Sequence, residues 1–140
     1  MMIKQPSLES GCGIACVANI IGKSYQDTYE IMSDSKCKNK YDDRVTIQQI
    51  EKFLGLYENI HTKRSETIED TVSALLYIRW PDDKRYKHWV LYSDGLYWDP
   101  SPQQNEPTDH YLTKPEVIIS LFSNHALSKE LVLFANEKRI

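Results

Sequence analysis

Gly11-Cys12-Gly13-Ile14-Ala15-Cys16-Val17-Ala18-Asn19-Ile20-Ile21-Gly22 is the stretch on which the fold turns. Ile14, Val17, Ala18 and Ile21 recur at helical spacing and Gly22 stands just past them as a stop, so a helix is expected from Gly11 to Ile21. A cysteine between two glycines opens that helix. Free N–H groups and the positive end of the macrodipole favour negative charge there, and small neighbours leave room for another molecule to approach the sulfur.

Working outward, Tyr25, Tyr29 and Met32 repeat the helical spacing behind Ser24, a candidate cap. Thr46 precedes Ile47, Ile50, Phe53 and Leu54 before Gly55 closes that segment, which predicts a third helix in the front half. The period then changes. Ala74 to Trp80 is aromatic and aliphatic, Pro81-Asp82-Asp83-Lys84 interrupts it, Tyr86 to Tyr92 resumes it, and Asp94-Gly95 turns into Leu96 to Trp98. This reads as an antiparallel meander. A short helix from about Lys114 to Ser123, with Pro115 in its first turn, and a last strand from Glu130 to Ala135 complete the expectation. Helices followed by sheet make an α+β fold.

The chain has 140 residues, of which 41% are hydrophobic, 26% charged and 11% aromatic, the mix of a folded globular chain. Neither repeat nor linker divides it, so one domain over 1–140 is expected. At this length a fold buries roughly 68% of the surface its extended chain exposes, enough for a core without metal or disulfide staples. Seventeen Lys and Arg against twenty Asp and Glu leave a net charge of −3. That balance lacks the basic footprint of a nucleic-acid binder. No run reaches the roughly 20 apolar residues of a membrane span. Met1 to Pro6 has no apolar signal region, so cytoplasmic synthesis is expected, with leaderless export leaving no mark in the sequence. Three cysteines are too few for a disulfide scaffold, which directs attention to each thiol.

A cysteine nucleophile needs a base. In Lys87-His88-Trp89-Val90-Leu91-Tyr92, strand alternation puts His88, Val90 and Tyr92 on one face and Trp89 and Leu91 on the other, so His88 sits on a rigid support. Asp99 ends the adjacent strand across the Asp94-Gly95 turn, where its carboxylate is placed to accept the second imidazole N–H. Gln5 offers an amide that, with the Cys12 backbone N–H, would stabilise an oxyanion. Together these four residues suit acyl transfer.

Gln5, Cys12-Gly13-x-Ala15-Cys16, His88-Trp89-Val90-Leu91 and Tyr97-Trp98-Asp99-Pro100 resemble, in order and over most of the chain, the papain-like peptidases that trim double-glycine leaders from bacteriocin precursors. The resemblance implies a papain-like fold in a stand-alone domain. It also implies Gln5 as oxyanion donor, Cys12 as nucleophile, His88 as general base and Asp99 as its orienting partner. The expected activity is cysteine-dependent hydrolysis of peptide bonds in a peptide or protein substrate, with no metal or organic cofactor. The same acyl-enzyme chemistry serves deamidation or transglutamination of a protein glutamine, and a non-enzymatic alternative is a peptide-binding module. Oligomeric state is not readable.

The remaining candidates have plainer readings. Cys16 lies a turn inside the helix, beyond the reach of the dipole, and is expected in the core. Cys37 stands among lysines in a loop without a neighbouring base. Cys12 and Cys16 with His61 or His88 lack the second ligand pair of a zinc site. His61, His110 and His125 have no partner in sequence and are expected at the surface or a strand edge, and Trp80, Trp89 and Trp98 are expected to pack the sheet.

Overall fold

The computed structural model describes residues 2–7, 10–68, 73–79, 87–111 and 113–123. The first helix, α1, runs Cys12–Ile21 and buries seven of its ten residues. A helix apolar on nearly all sides belongs in the interior. Its start depends on Gly11, whose φ of 89° lies in the left-handed region and whose carbonyl accepts the first helical bond from Ala15 at 2.9 Å. A side chain there would be strained, and a methyl would also stand 2.6 Å from Pro6 Cδ. Gly22 ends the helix, donating its N–H to Ala18.

Helix α2, Tyr25–Asp34, starts where Ser24 Oγ accepts the Asp27 N–H at 3.1 Å. Helix α3, Ile47–Leu54, starts at a capping box in which Thr46 Oγ1 accepts from Gln49 N and Gln49 Oε1 accepts from Thr46 N. Each reciprocal bond satisfies a backbone donor that the first helical turn leaves open. All three expected helices are present, α2 extending two residues past Met32. None of the described helices is long and apolar enough to cross a membrane.

Five strands follow: β1 Ile60–Ser65, β2 Ser73–Arg79, β3 Lys87–Ser93, β4 Leu96–Trp98 and β5 Val117–Ser123. They form one antiparallel sheet in the order β1-β5-β2-β3-β4. The α+β class is therefore observed, with the meander at β2, β3 and β4 as expected; its positions Trp80 to Tyr86 lie outside the described residues.

Two expectations change. The segment Lys114 to Ser123 does not form a helix: Val117–Ser123 is β5, held between β1 and β2. Val117, Ile118 and Ile119 are β-branched, and a strand covered on both faces reads as a continuous apolar run, which periodicity alone does not separate from a buried helix. Strand β1 was not expected, because Ile60-His61-Thr62-Lys63-Arg64-Ser65 carries a single aliphatic residue. It is an edge strand defined by its partner β5. The strand expected at Glu130 to Ala135 lies outside the described residues, as does His125.

Alternation across the sheet separates two apolar clusters. Leu75, Trp89, Leu91, Ile119 and Leu121 face the helices and pack with Ile14, Val17, Phe53 and Leu54. Ala74, Leu76, Ile78, Val90 and Ile118 share the opposite face with Tyr92 and Tyr97. Helix α1 thus lies across one face of the sheet with its N-terminus directed at β3.

Candidate active site

The geometry of the site follows from where one hairpin ends. The β3–β4 register pairs Leu91 with Trp98, Tyr92 with Tyr97 and Ser93 with Leu96. Continuing it would set Val90 opposite Asp99 and Trp89 opposite Pro100, but proline has no N–H to offer a further rung. There the hairpin parts: the Trp89 N–H donates to Cys12 Sγ at 3.4 Å, while the Pro100 carbonyl accepts from Gln5 N at 2.9 Å. The N-terminus of α1 thereby meets the free edge of β3. Gly13 makes the approach feasible, since a methyl there would run into Val45 Cγ2 and lie 3.1 Å from Trp89 Cδ1.

His88 and Asp99 share the face of the sheet that carries Val90, as diagonal neighbours. His88 Nε2–H donates to Asp99 Oδ1 at 2.7 Å, leaving Nδ1 for the hydrogen bond with the Cys12 side chain. Sulfur, imidazole and carboxylate stand in one row. His88 is 5% exposed and Asp99 6%, whereas Cys12 is partly open to solvent, so the charged relay is sheltered and the reactive atom is accessible.

Burial works against a charged His88, but the hydrogen bond it donates to Asp99 and the interactions with Cys12 and Asp99 outweigh it, and the imidazole is raised to about 9. Burial likewise opposes a charged Asp99, yet His88, the Tyr111 hydroxyl and the Ser101 N–H hold the carboxyl below its ordinary range. The Ser101 N–H donates to Oδ1 at 2.9 Å and the Tyr111 Oη–H to Oδ2 at 2.7 Å. With three donors on two oxygens, Asp99 is both charged and fixed in direction. Tyr111 is itself stacked on Tyr97, ring centroids 5.7 Å apart.

Three of the four expected site residues, Cys12, His88 and Asp99, are thus brought together. Gln5 is buried beside Pro100; its Nε2 donates to the Ser7 carbonyl at 2.6 Å, and its Oε1 has no hydrogen-bond partner among the described residues. Its backbone N–H and side-chain amide are thus spent on Pro100 and Ser7 rather than on Cys12. Tyr111 is the residue that sequence reasoning missed: it lies in the polar Pro100–Thr113 stretch, where no periodicity marks it. Cys16 is fully buried, and burial pushes its thiol well up. Cys37 lies in a loop, as expected, but is buried, its Sγ–H facing the Ser35 carbonyl. His61 and His110 are exposed, and Trp89 and Trp98 pack in the core.

An open cleft of about 680 Å³ runs past Cys12, lined by Gly11, Gly13, Asp43, Val45, Tyr77 and Trp89 among others. The arrangement supplies a nucleophile, a proton acceptor oriented by a carboxylate, and room for an extended ligand. Compared with known proteins, the chain matches no protein-family model and no curated protein.

Proposed function

We propose that the protein is a papain-like cysteine peptidase that hydrolyses peptide bonds through a Cys12–His88–Asp99 relay. One observation carries the reading: a single buried imidazole is bonded on one side to a fixed carboxylate and on the other to a partly exposed sulfur beside a cleft. In the proposed reaction His88 takes the Cys12 proton, and the sulfur attacks a substrate carbonyl to form a C–S bond. The C–N bond then breaks as His88 passes the proton to the departing amine. Water, activated by the same imidazole, attacks the thioester and releases the acid and the Cys12 thiol.

The developing oxyanion would fall near the Cys12 N–H at the start of α1. Gln5 is the proposed second donor, with the Ser7 carbonyl setting the plane of its amide. The order of motifs that resembles the bacteriocin-processing peptidases supports the same assignment.

Cys12→Ala is expected to abolish cleavage of a peptide pool while leaving the thermal transition in place. Because Cys16 and Cys37 are buried, the native protein should also take up one iodoacetamide, at Cys12. Retention of cleavage in Cys12→Ala, or alkylation of native Cys16 ahead of Cys12, would count against the reading. A mass gain of about one dalton on a glutamine-containing protein without chain cleavage would assign the site to deamidation instead, since an amide becomes an acid by the same route.

A further inference from the structure

The cleft beside Cys12 carries a feature that the proton relay does not use. The Asp43 carboxylate lines it, half-buried, and sits so close to Gly11 that a methyl on that glycine would lie 3.2 Å from Asp43 Oδ2. Its partner is neutral: Tyr25 Oη–H donates to Oδ2 at 3.1 Å. Among the described residues Asp43 has no cation within salt-bridge distance. The positive groups on the cleft are otherwise engaged, Arg44 with Asp42 at 2.9 Å and the Lys87 ammonium over the Tyr77 ring at 5.8 Å.

The loop that holds Asp43 is built around an internal cation. Lys38 is 6% exposed, and its ammonium donates to the carbonyls of Asn39 and Asp42, each at 2.8 Å, while lying 4.3 Å from the centre of the Tyr29 ring. The Asn39 N–H closes the loop onto the Arg44 carbonyl at 2.8 Å. Asp43 is therefore presented from a fixed wall, flanked by the apolar surfaces of Val45 and Trp89. A carboxylate so placed, against the glycine that precedes Cys12 and without a counter-ion among the described residues, offers a charge-assisted acceptor to whatever occupies the cleft.

We infer that Asp43 is a specificity-determining residue: the cleft takes a polypeptide bearing a lysine or arginine side chain within a few residues of the carbonyl that Cys12 attacks. The inference rests on the proposed peptidase reading for the position of that carbonyl, and on the cleft alone for the choice of a basic ligand. Tyr25 fixes one carboxylate oxygen, and the ligand's cationic group meets the other. Val45, Tyr77 and Trp89 cover the aliphatic stem that both side chains carry.

The test is a randomised peptide library offered to two forms of the full chain, with mass spectrometry as the readout. Wild type reports the residues around each cleaved bond. Immobilised Cys12→Ala reports which peptides are retained, and so needs no turnover. Lysine and arginine should be enriched at one fixed position in both experiments, by about tenfold over norleucine and glutamine, the scale of one charge-assisted contact. Asp43→Asn, which preserves the acceptor for Tyr25, should reduce that ratio to near one. Asp43→Lys should turn it toward acidic residues, and Asp43→Glu should keep it. Retention of basic peptides without any cleavage would remove the peptidase reading and leave the cation subsite standing. An even distribution of residues, a preference unchanged in Asp43→Asn, or a library neither cut nor retained overturns the inference.

Discussion

His88 joins the chemistry of the site to the stability of the fold. Its imidazole is raised from the ordinary 6.5 to about 9, against the effect of burial, by Asp99 and Cys12. A group raised on folding adds stability that is fully present below its unfolded value and is lost as pH rises through its folded one. The window is therefore pH 6.5 to 9, and the contribution is on the order of 3 kcal/mol. Urea melts of wild type and His88→Asn across that range should converge as the pH rises, and in a Cys12→Ala background the convergence should come at lower pH, because two of the raising interactions come from Cys12. Curves that stay parallel from pH 6.5 to 9 would mean that the imidazolium is not held as described. Asp99 behaves in the opposite sense: its lowered carboxyl contributes above its ordinary range and loses that contribution as pH falls.

Among the elements, β5 carries the most consequence for its length. It joins β1 to β2, and Ile118 and Ile119, 6% and 0% exposed, pack on opposite faces of the sheet. Replacing either by alanine should cost about 2–5 kcal/mol in denaturant melts, because both faces are covered. Leu56→Ala, at a side chain 60% exposed, should stay within about 0.5 kcal/mol. A negligible cost at Ile118 alongside a large one at Ile119 would describe a strand with one open face. This is also the element that local reading misassigned. Where a residue acts on its own neighbours, as Ser24 and Thr46 do in capping, or Asp94 and Gly95 in turning a hairpin, sequence and structure agree. Where pairing with a distant segment decides, as for Val117–Ser123 and for the polar edge at Ile60–Ser65, the local pattern is ambiguous or silent. The site divides the same way. Cys12, His88 and Asp99 each sit at a recognisable place on an element, whereas Tyr111 reaches Asp99 from a loop with no pattern to announce it.

At the scale of the molecule, the helical half and the sheet half share one interior. Seven of the ten residues of α1 are buried, and its apolar surface is completed by Leu75, Leu91, Ile119 and Leu121 from three strands. A fragment ending at Glu58 holds all three helices but none of those strands, and short helices without tertiary support are marginal in water. Its far-UV circular dichroism should be that of a largely unfolded chain, with Cys16 and Cys37 alkylated as readily as Cys12. A cooperative helical transition in the fragment would show that the sheet is dispensable to the front half. The same interdependence governs the candidate site, because Cys12 Sγ occupies the rung that Pro100 leaves vacant beside Trp89. Extending the short strand by two residues able to donate and accept would close that gap and evict the sulfur. The approach of Cys12 to β3 then depends on a ribbon left unzipped at one end.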